Sequence, residues 1–535
     1  MAKDGDSGDM KRNLPTSPEL LPLAASPTFR RDDPDPIRNR FGGHGDGGSS
    51  PKRRTTASLL LAALLLAGCG APPVLAPRPA AAPATAQSTA DRNDPLVAEL
   101  EQRTFRWFWD LADPTTRLVP DRAPTPSFSS IAAVGFGLTA YGIGAERGYV
   151  PRAEAAERTL ATLRSLLAMK QGPEPRGVAG YQGFFYHFLD MRTGERFKTV
   201  ELSTIDTSLL MAGALFAQSY FDRDDATEAA IRATAEELYE RVDWPWEQVR
   251  RPALSMGWTP EEGFHTYDWR GYNEAMIVLV LALGSPTHPV TPSAWDDYTK
   301  TDRWGTFYGQ EHVLFAPLFG HQYSHVWIDF RGIRDAVMRA HGEGFDYFEN
   351  SRRATVAQHA YAVDNPSRYR DYGDRIWGLS ACDGPMDATI TIDGRRRTFH
   401  GYAARGATAG DVRDDGTITP TAAASSIVFT PELSIAAIRE MSRRYGGRLY
   451  TKYGFLDAFN PTLRTSQGVT SGRVDPAQGW FDVDYLGIDQ GPIVAMIENY
   501  RSELVWRTMR KNPSIVRGLK RAGFTGGWLA EAPAP

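Results

Sequence analysis

Segments that are almost free of charge alternate with amphipathic segments from residue 94 onward. The uncharged segments are residues 131–144, 204–220, 271–284 and 490–500. The amphipathic segments include residues 153–169 and 226–242. A helix that is apolar on all sides is buried, whereas a helix with one charged face lies partly in solvent. The alternation therefore predicts an all-α fold, in which two concentric rings of about five or six helices each form an (α/α) barrel.

Two stretches interrupt this pattern. Residues 285–328 are aromatic and contain several histidines, and residues 383–421 are rich in Gly, Asp and Thr. Short strands are expected at residues 387–393 and near residues 398–402. Because long loops in a compact domain are usually functional or flexible, we expect both stretches at the mouth of the barrel.

The N-terminal part has the features of a bacterial lipoprotein signal. A basic cluster at residues 52–54 precedes an uncharged apolar run at residues 57–67, which is too short to span a bilayer comfortably. The run leads into Leu-Ala-Gly-Cys, which resembles a lipobox and ends at Cys69. We expect lipidation of Cys69 and export to the periplasm or outer membrane of a Gram-negative bacterium, with the lipid as the only contact with the membrane. The alternative is a short buried helix with a chance cysteine.

The signal divides the chain into four parts. Residues 1–51 are rich in Pro, Gly, Asp and Arg and are expected to be a disordered extension or the result of a misassigned start. The signal peptide is expected at residues 52–69. Residues 70–93, mostly Ala, Pro, Thr and Ser, are expected to tether the lipid to a folded domain at residues 94–527.

The composition excludes some classes of protein. The net charge is −4 and both signs are mixed along the chain, whereas a nucleic-acid-binding protein needs clustered Lys and Arg. The two cysteines, Cys69 and Cys382, cannot form a disulfide framework. The 13 Trp and 21 Tyr suit the flat faces of sugars, although large helical domains also fill their cores with aromatic rings.

Carboxylates stand near the start of three predicted buried helices. These acids are Glu201 and Asp206, Glu274, and Asp484 and Asp489. The inner helices of an (α/α) barrel run the same way, so their N-termini converge on one face. Cleavage of a glycosidic bond needs one carboxylic acid to protonate the leaving oxygen and one carboxylate to activate water or attack the sugar. The sequence therefore predicts a set of acids of this kind at one mouth.

Each acid also has a structural interpretation. Ser203 and Asp206 have a spacing close to that of a helix cap, and for Asp206 we favour this interpretation. Asp489 would serve as an N-cap, and a carboxylate at Glu274 would interact favourably with a helix dipole.

Glu274 has the strongest functional case. It follows Trp269 and Tyr272 and precedes an apolar run, and such burial raises the pKa of a carboxyl as a general acid needs. A helix N-terminus acts in the opposite direction, so the net shift stays open. Asp489 or Asp484, in a more polar setting, would be the complementary base.

Several other polar and aromatic side chains are expected to contact a ligand. His312, His321 and His325 lie close in sequence but lack the spacing of a zinc site, so hydrogen bonds to sugar hydroxyls suit them better, and no metal is expected. The predicted substrate-binding residues are His187, Trp269, Tyr272, Gln310, His312, His321, His325, Trp327, Trp377 and Asp484.

Four long motifs, in order, resemble those of glycoamylase-like bacterial proteins. The motifs are FFYHFLDMRTGER, ELSTIDTSLLMAGALFA, YNEAMIVLVLALGSPTHP and WFDVDYLGIDQGPIVAMIENYRS. The group includes the endo-β-1,2-glucanases of glycoside hydrolase family 144, and the resemblance covers roughly residues 95–525. It implies an (α/α)6 barrel, β-1,2-glucan or sophorose-type oligosaccharides as substrate, inversion at the anomeric carbon and no cofactor. It places the essential acid on Glu274 and the other acidic positions on Glu201, Asp206 and Asp489.

Other functions remain open at this point. Relatives in the same group act from chain ends or as transglycosylases, so the mode of attack does not follow from the resemblance. A polysaccharide lyase on an (α/α) toroid would use Tyr or His as base and bind uronates in a basic cleft, which the mixed charge disfavours. A glycan-binding lipoprotein without catalysis is the third candidate. We expect a monomer that binds a glucan and no nucleic acid.

Overall fold

The computed structural model describes residues 91–532, and this part of the chain is rich in α-helix. In chain order, helices α1 to α15 are Pro95–Leu111, Ile131–Glu146, Arg152–Ala168, Thr204–Tyr220, Ala226–Glu240, Met276–Gly284, Ser293–Thr299, Tyr323–Trp327, Ala336–His341, Tyr347–Asp364, Pro420–Ala424, Pro431–Tyr445, Gly487–Ser502, Leu504–Met509 and Pro513–Arg521. The signal, Cys69 and residues 70–90 of the predicted tether lie outside the described residues, whereas the last residues of that tether, Asp91–Asn93, form a short 3-10 helix.

Short strands connect the helices and pair in small antiparallel sheets of two or three strands. In chain order, strands β1 to β22 are Arg122–Ala123, Ser129–Ser130, Gly180–Tyr181, Phe184–Phe185, Phe188–Leu189, Leu202–Ser203, Gly257–Thr259, Gly263–Phe264, Trp304–Phe307, Gln310–Val313, Ala381–Cys382, Ala388–Ile392, Arg395–Phe399, Ala403–Ala404, Gly406–Thr408, Asp411–Arg413, Tyr450–Thr451, Gly454–Phe455, Phe459–Asn460, Arg473–Asp475, Gly479–Phe481 and Tyr485–Leu486.

The uncharged segments form buried helices, as predicted. Every residue of α6 is buried, and α2 is buried from Ile131 to Gly144. Helix α4 packs against both of them, and α13 packs against α2. The amphipathic helices cover this buried set: α1 lies on α2 and α13, α3 on α2, α5 on α4, and α15 on α6.

Helices α2 and α4 approach so closely that only glycine fits at the contact. A Cβ atom added to Gly213 would lie 2.1 Å from the carbonyl oxygen of Gly135, and one added to Gly135 would lie 2.3 Å from the carbonyl oxygen of Leu209. Because backbone lies against backbone here, neither helix can carry a side chain at these positions.

Helix boundaries agree with the sequence at some ends and differ at others. Asp94 caps α1 close to the start of the predicted folded domain at residue 94, because its side chain accepts hydrogen bonds from two backbone N–H groups of the first turn. Helix α6 begins at Met276, five residues later than the apolar segment suggests. The side chain of Asn273 accepts a hydrogen bond from the N–H of Ala275 at 2.9 Å, which favours a turn over a helix.

The two interrupting stretches contain defined structure. Strands β12 and β13 form a hairpin at residues 388–399, where short strands were expected, although the second strand begins three residues early. Residues 285–328 contain α7, the β9–β10 hairpin and α8. None of the helices between residues 91 and 532 combines the length and the apolar character needed to cross a bilayer.

Candidate active site

Short strands lead directly into three of the buried helices. Strand β2 ends where α2 begins, β6 where α4 begins, and β22 where α13 begins. Asp206 and Asp489 both lie in the first turn of the helix that follows. A strand-to-helix junction therefore fixes the position of Asp206 and of Asp489, in the first turn of a helix where backbone N–H groups lack partners within the helix.

His187 joins Glu201 and Asp206. Its Nδ1 lies 2.8 Å from Glu201 Oε1, and its Nε2 lies 3.5 Å from Asp206 Oδ1. Burial opposes a charge on this ring, but the two carboxylates outweigh it and raise the pKa of His187 to about 9. The Ser203 hydroxyl donates to Asp206, and its oxygen accepts from the Asp206 N–H. Asp206 thus belongs to a helix cap, as favoured from the sequence, and also to a charged triad.

Glu274 lies in the turn just before α6 and is 7% exposed. Burial raises its pKa to about 7, and the negative charge of Asp206 adds to the shift while a backbone hydrogen bond opposes it. The effect of burial on this pKa therefore outweighs that of the backbone hydrogen bond. A carboxyl with this pKa is partly protonated at neutral pH and can act as a general acid.

Asp489 forms a carboxyl pair with Asp457. Burial raises the pKa of Asp489 to about 7, with the charges of Asp383 and Asp121 adding to it and a hydrogen bond from Asp457 opposing it. Burial raises the pKa of Asp457 further, and the charge of Asp489 adds to that shift. We infer that Asp457 stays protonated and donates a hydrogen bond to the Asp489 carboxylate.

A basic residue stands among further acids next to this pair. Arg122 Nη1 lies 2.6 Å from Asp383 Oδ2, and its Nε lies 3.2 Å from Asp121 Oδ2. Ligand atoms of Asp383, Asp457 and Asp482 lie within 4.8 Å of one another, a spacing that suits a hard cation or the hydroxyls of a sugar. Because Arg122 already supplies a positive charge to Asp383, the arrangement is better suited to hydroxyl groups.

Tyr323 is influenced both by the acids near Glu274 and by Asp489. Burial raises the pKa of Tyr323, and the charges of Asp489, Glu274 and Asp206 add to the shift. The charges of these three carboxyls therefore all act on one phenol, although the residues are distant in sequence. Tyr402, which is half-buried, lies near Asp489.

The sequence did not indicate seven residues of this site. They are Asp121, Arg122, Tyr323, Asp383, Tyr402, Asp457 and Asp482. The signal that could have found two of them is an acid inside an apolar stretch, as in FLDAF and WFDVD. Arg122 and Asp383 are 261 residues apart and lie in segments without a clear pattern.

Four predicted substrate-binding residues lie in the core instead, and those predictions are corrected. Trp327 is fully buried, and its Nε1 donates to the Thr139 hydroxyl at 3.0 Å. His321 is fully buried between the Tyr272 hydroxyl and a backbone carbonyl. His325 Nε2 forms a hydrogen bond with the Ser351 hydroxyl, and Trp377 is fully buried against the ring of His359. All four side chains are fully buried, which places them in the core rather than on a surface that a ligand could contact.

The other predicted ligand contacts differ in position. Tyr272 is buried and bonds Ser351, and Asp484 accepts from the N–H of Thr125 at 2.8 Å. His312 bonds Thr408 Oγ1. Gln310 lies half-buried on strand β10, and Trp269 is buried without a hydrogen-bond partner for its Nε1 among the described residues. Of the predicted contacts, His187 and Asp484 lie next to the clustered carboxylates.

Known proteins are similar to this chain in fold and in sequence. Residues 266–513 match the family model Glycoamylase, described as "Putative glucoamylase". A crystal structure from Bacteroides uniformis with the same description is 32% identical, with a TM-score of 0.68, and the match covers 81% of this chain and 98% of that one. An endo-β-1,2-glucanase from Chitinophaga pinensis, solved with sophorotriose and glucose, is 28% identical, with a TM-score of 0.68, and the match covers 83% and 100% of the two chains.

A curated relative is an exo β-1,2-glucooligosaccharide sophorohydrolase acting at the non-reducing end, from Parabacteroides distasonis. It is 28% identical over 466 residues, which cover 80% of this chain and 58% of the relative. The chain therefore spans little more than half the length of this relative. Taken with the nearly complete match to the Bacteroides uniformis structure, these similarities show that the chain belongs to the glycoamylase family.

Proposed function

We propose that the protein is a glycoside hydrolase that cleaves β-1,2-glucan or related β-glucooligosaccharides with inversion. The observation that carries the proposal is that Glu274 and Asp489 are both buried, both have a pKa of about 7, and both lie in turns that bond to the adjacent residues Tyr323 and Ser324. Two buried carboxyls whose pKa values lie near neutrality suit an acid and a base. The β-1,2-glucan substrate follows from the named activities of the Chitinophaga and Parabacteroides relatives.

Each carboxyl has a distinct role in the proposed reaction. The Glu274 carboxyl donates its proton to the glycosidic oxygen as the bond to the leaving sugar breaks. The Asp489 carboxylate, which accepts a hydrogen bond from Asp457, takes a proton from the attacking water. Glu201 stays ionised because His187 lowers its pKa against the effect of burial, so it can accept hydrogen bonds from sugar hydroxyls.

We also propose that the buried helices close into an (α/α)6 barrel, with α2, α4, α6, α8, α11 and α13 as the inner ring. Helix α2 contacts α4, α4 contacts α6, α6 contacts α8, α8 contacts α13, and α13 contacts both α11 and α2. Gln322, just before α8, donates to the carbonyl of Ala422 in α11 at 2.9 Å, which supports the remaining neighbour pair. The shared fold with the Chitinophaga glucanase supports the same arrangement.

The activity is tested by NMR of the products formed from linear β-1,2-, β-1,3- and β-1,4-glucans. We expect cleavage of the β-1,2-glucan, with the α-anomer appearing first at the new reducing end. A β-anomer would contradict inversion, and an unsaturated product absorbing in the ultraviolet would indicate a lyase. Absence of cleavage with retained glucan binding would favour a binding protein.

We propose that the chain is exported and lipid-anchored through Cys69, at the periplasm or outer membrane of a Gram-negative bacterium, and acts as a monomer. The basic cluster at residues 52–54 and the apolar run at residues 57–67 support this location. Incorporation of labelled palmitate in a Gram-negative host tests the anchor. We expect labelling of the wild type and none of Cys69→Ser, and labelling of both would contradict the assignment.

A further inference from the structure

Helix α6, which follows Glu274, has no capping side chain of its own. Its N-cap residue is Ala275, which offers no acceptor. Ser324 supplies one from another helix: its Oγ accepts from the N–H of Ile277 at 3.0 Å and donates to the carbonyl of Glu274 at 2.8 Å. Ser324 is fully buried, so water cannot replace it. One hydroxyl thus fixes both the start of α6 and the backbone of the Glu274 turn.

Helix α13, which bears Asp489, has a gap in its hydrogen bonds near its start. Pro492 lies inside the helix and has no N–H, so the carbonyl of Ile488 lacks its usual partner four residues later. The Tyr323 hydroxyl donates to this carbonyl at 3.2 Å. Ile488 precedes Asp489 directly, so this bond fixes the turn that holds the carboxyl.

Tyr323 and Ser324 are adjacent in α8, a helix of five residues that is itself held in place. The indole N–H of Trp506 donates to the carbonyl of His325 at 2.6 Å, and Gln322 donates to the carbonyl of Ala422. We propose that Tyr323 and Ser324 are positioning residues that fix the separation of the Glu274 and Asp489 carboxyls. The proposal rests on the roles of these two acids in the proposed function.

The variant Ser324→Ala removes both hydrogen bonds of the Ser324 hydroxyl, and Tyr323→Phe removes the hydrogen bond to the Ile488 carbonyl. Because a misplacement of about 1 Å can cost about a hundredfold in rate, we expect kcat to fall by about ten- to a hundredfold while KM changes less. The pH profile separates positioning from general weakening: Ser324→Ala is expected to move the alkaline limb, which depends on Glu274, and Tyr323→Phe the acid limb. Ser208→Ala is the matched control, since its buried hydroxyl donates only to the carbonyl of Thr204 in its own helix.

Crystal structures of the same variants give a readout that does not depend on activity. We expect the Glu274–Asp489 carboxyl separation to change by about 0.5 Å or more in either variant and to stay constant in Ser208→Ala. Unchanged kcat, pH limbs and separation in both variants would overturn the proposal. If the wild type cleaves no glucan, the proposed function fails, whereas the measured separation still decides the positioning. If one variant does not fold, the other decides it alone.

Discussion

The Nδ1 atom of His187 lies 2.8 Å from Oε1 of Glu201, and both side chains are buried. The second ring nitrogen faces Asp206, so one imidazole serves two carboxylates. Because the pKa of His187 is raised to about 9, the ring carries a charge at neutral pH, and the contact is a charge-assisted hydrogen bond. The negative charge of Asp206 contributes to the raised pKa of Glu274, which links this triad to the proposed acid.

The triad predicts a pH-dependent contribution to stability. The folded-state pKa of His187 is about 9 and its ordinary value is 6.5, so its contribution is fully present below pH 6.5 and is lost as the pH rises through about 9. In denaturant titrations, the stability difference between wild type and His187→Gln should shrink by about 3 kcal/mol between about pH 6 and pH 9.5. His288→Gln, at an exposed position, is the control. A difference that does not change with pH would contradict a charged His187.

Asp206 is expected to influence the acid through its charge. Its negative charge contributes to the raised pKa of Glu274, so Asp206→Asn should lower that pKa. Glu274 works in its protonated form, and activity is lost as the pH rises through its pKa, so the alkaline limb should move to lower pH by about one unit. The pH dependence of kcat checks this, with the exposed Asp224→Asn as control. A limb that stays in place, or moves upward, would argue against coupling of the two carboxyls.

Part of this organisation could be predicted from the sequence, and part could not. The run MIVLVLALG identifies α6 as buried because none of its residues has a polar side chain. The turn at Asn273 was not predicted because, besides the local bond to the Ala275 N–H, it depends on the Tyr298 hydroxyl, 25 residues away, which accepts from the Asn273 N–H. Likewise, the Arg122–Asp383 pair joins segments that only the fold brings together. Local patterns predict burial and caps, whereas long-range polar contacts depend on tertiary structure.

Trp327 was predicted to bind substrate because tryptophan rings suit the faces of sugars, but it lies in the core. Its ring stacks on Phe136 and its N–H bonds Thr139 inside the core. We expect Trp327→Phe to lower the free energy of unfolding by about 1–3 kcal/mol through the lost hydrogen bond and ring volume, with KM unchanged. Chemical denaturation and steady-state kinetics measure the two effects. A several-fold rise in KM at unchanged stability would return this ring to the binding site.

The glycine contact between α2 and α4 gives a further prediction on stability. In Gly213→Ala, the new methyl group would meet the backbone of Gly135, which cannot move aside without shifting a whole helix. We expect a loss of about 1–3 kcal/mol or more in the free energy of unfolding. Gly447→Ala, where no atom lies within 4 Å of the added Cβ, should leave stability nearly unchanged. Equal effects of the two substitutions would show that the helices are less closely packed than described.

The most direct test of the proposed reaction is the rate of β-1,2-glucan hydrolysis by Glu274→Gln compared with wild type. The amide keeps the size of the side chain but cannot donate the catalytic proton, so we predict that kcat falls by about 10²–10⁴-fold and that the alkaline limb of the pH profile disappears, with the melting temperature retained. A variant that hydrolyses the glucan at the wild-type rate, with the same alkaline limb, would contradict the assignment of Glu274 as the general acid.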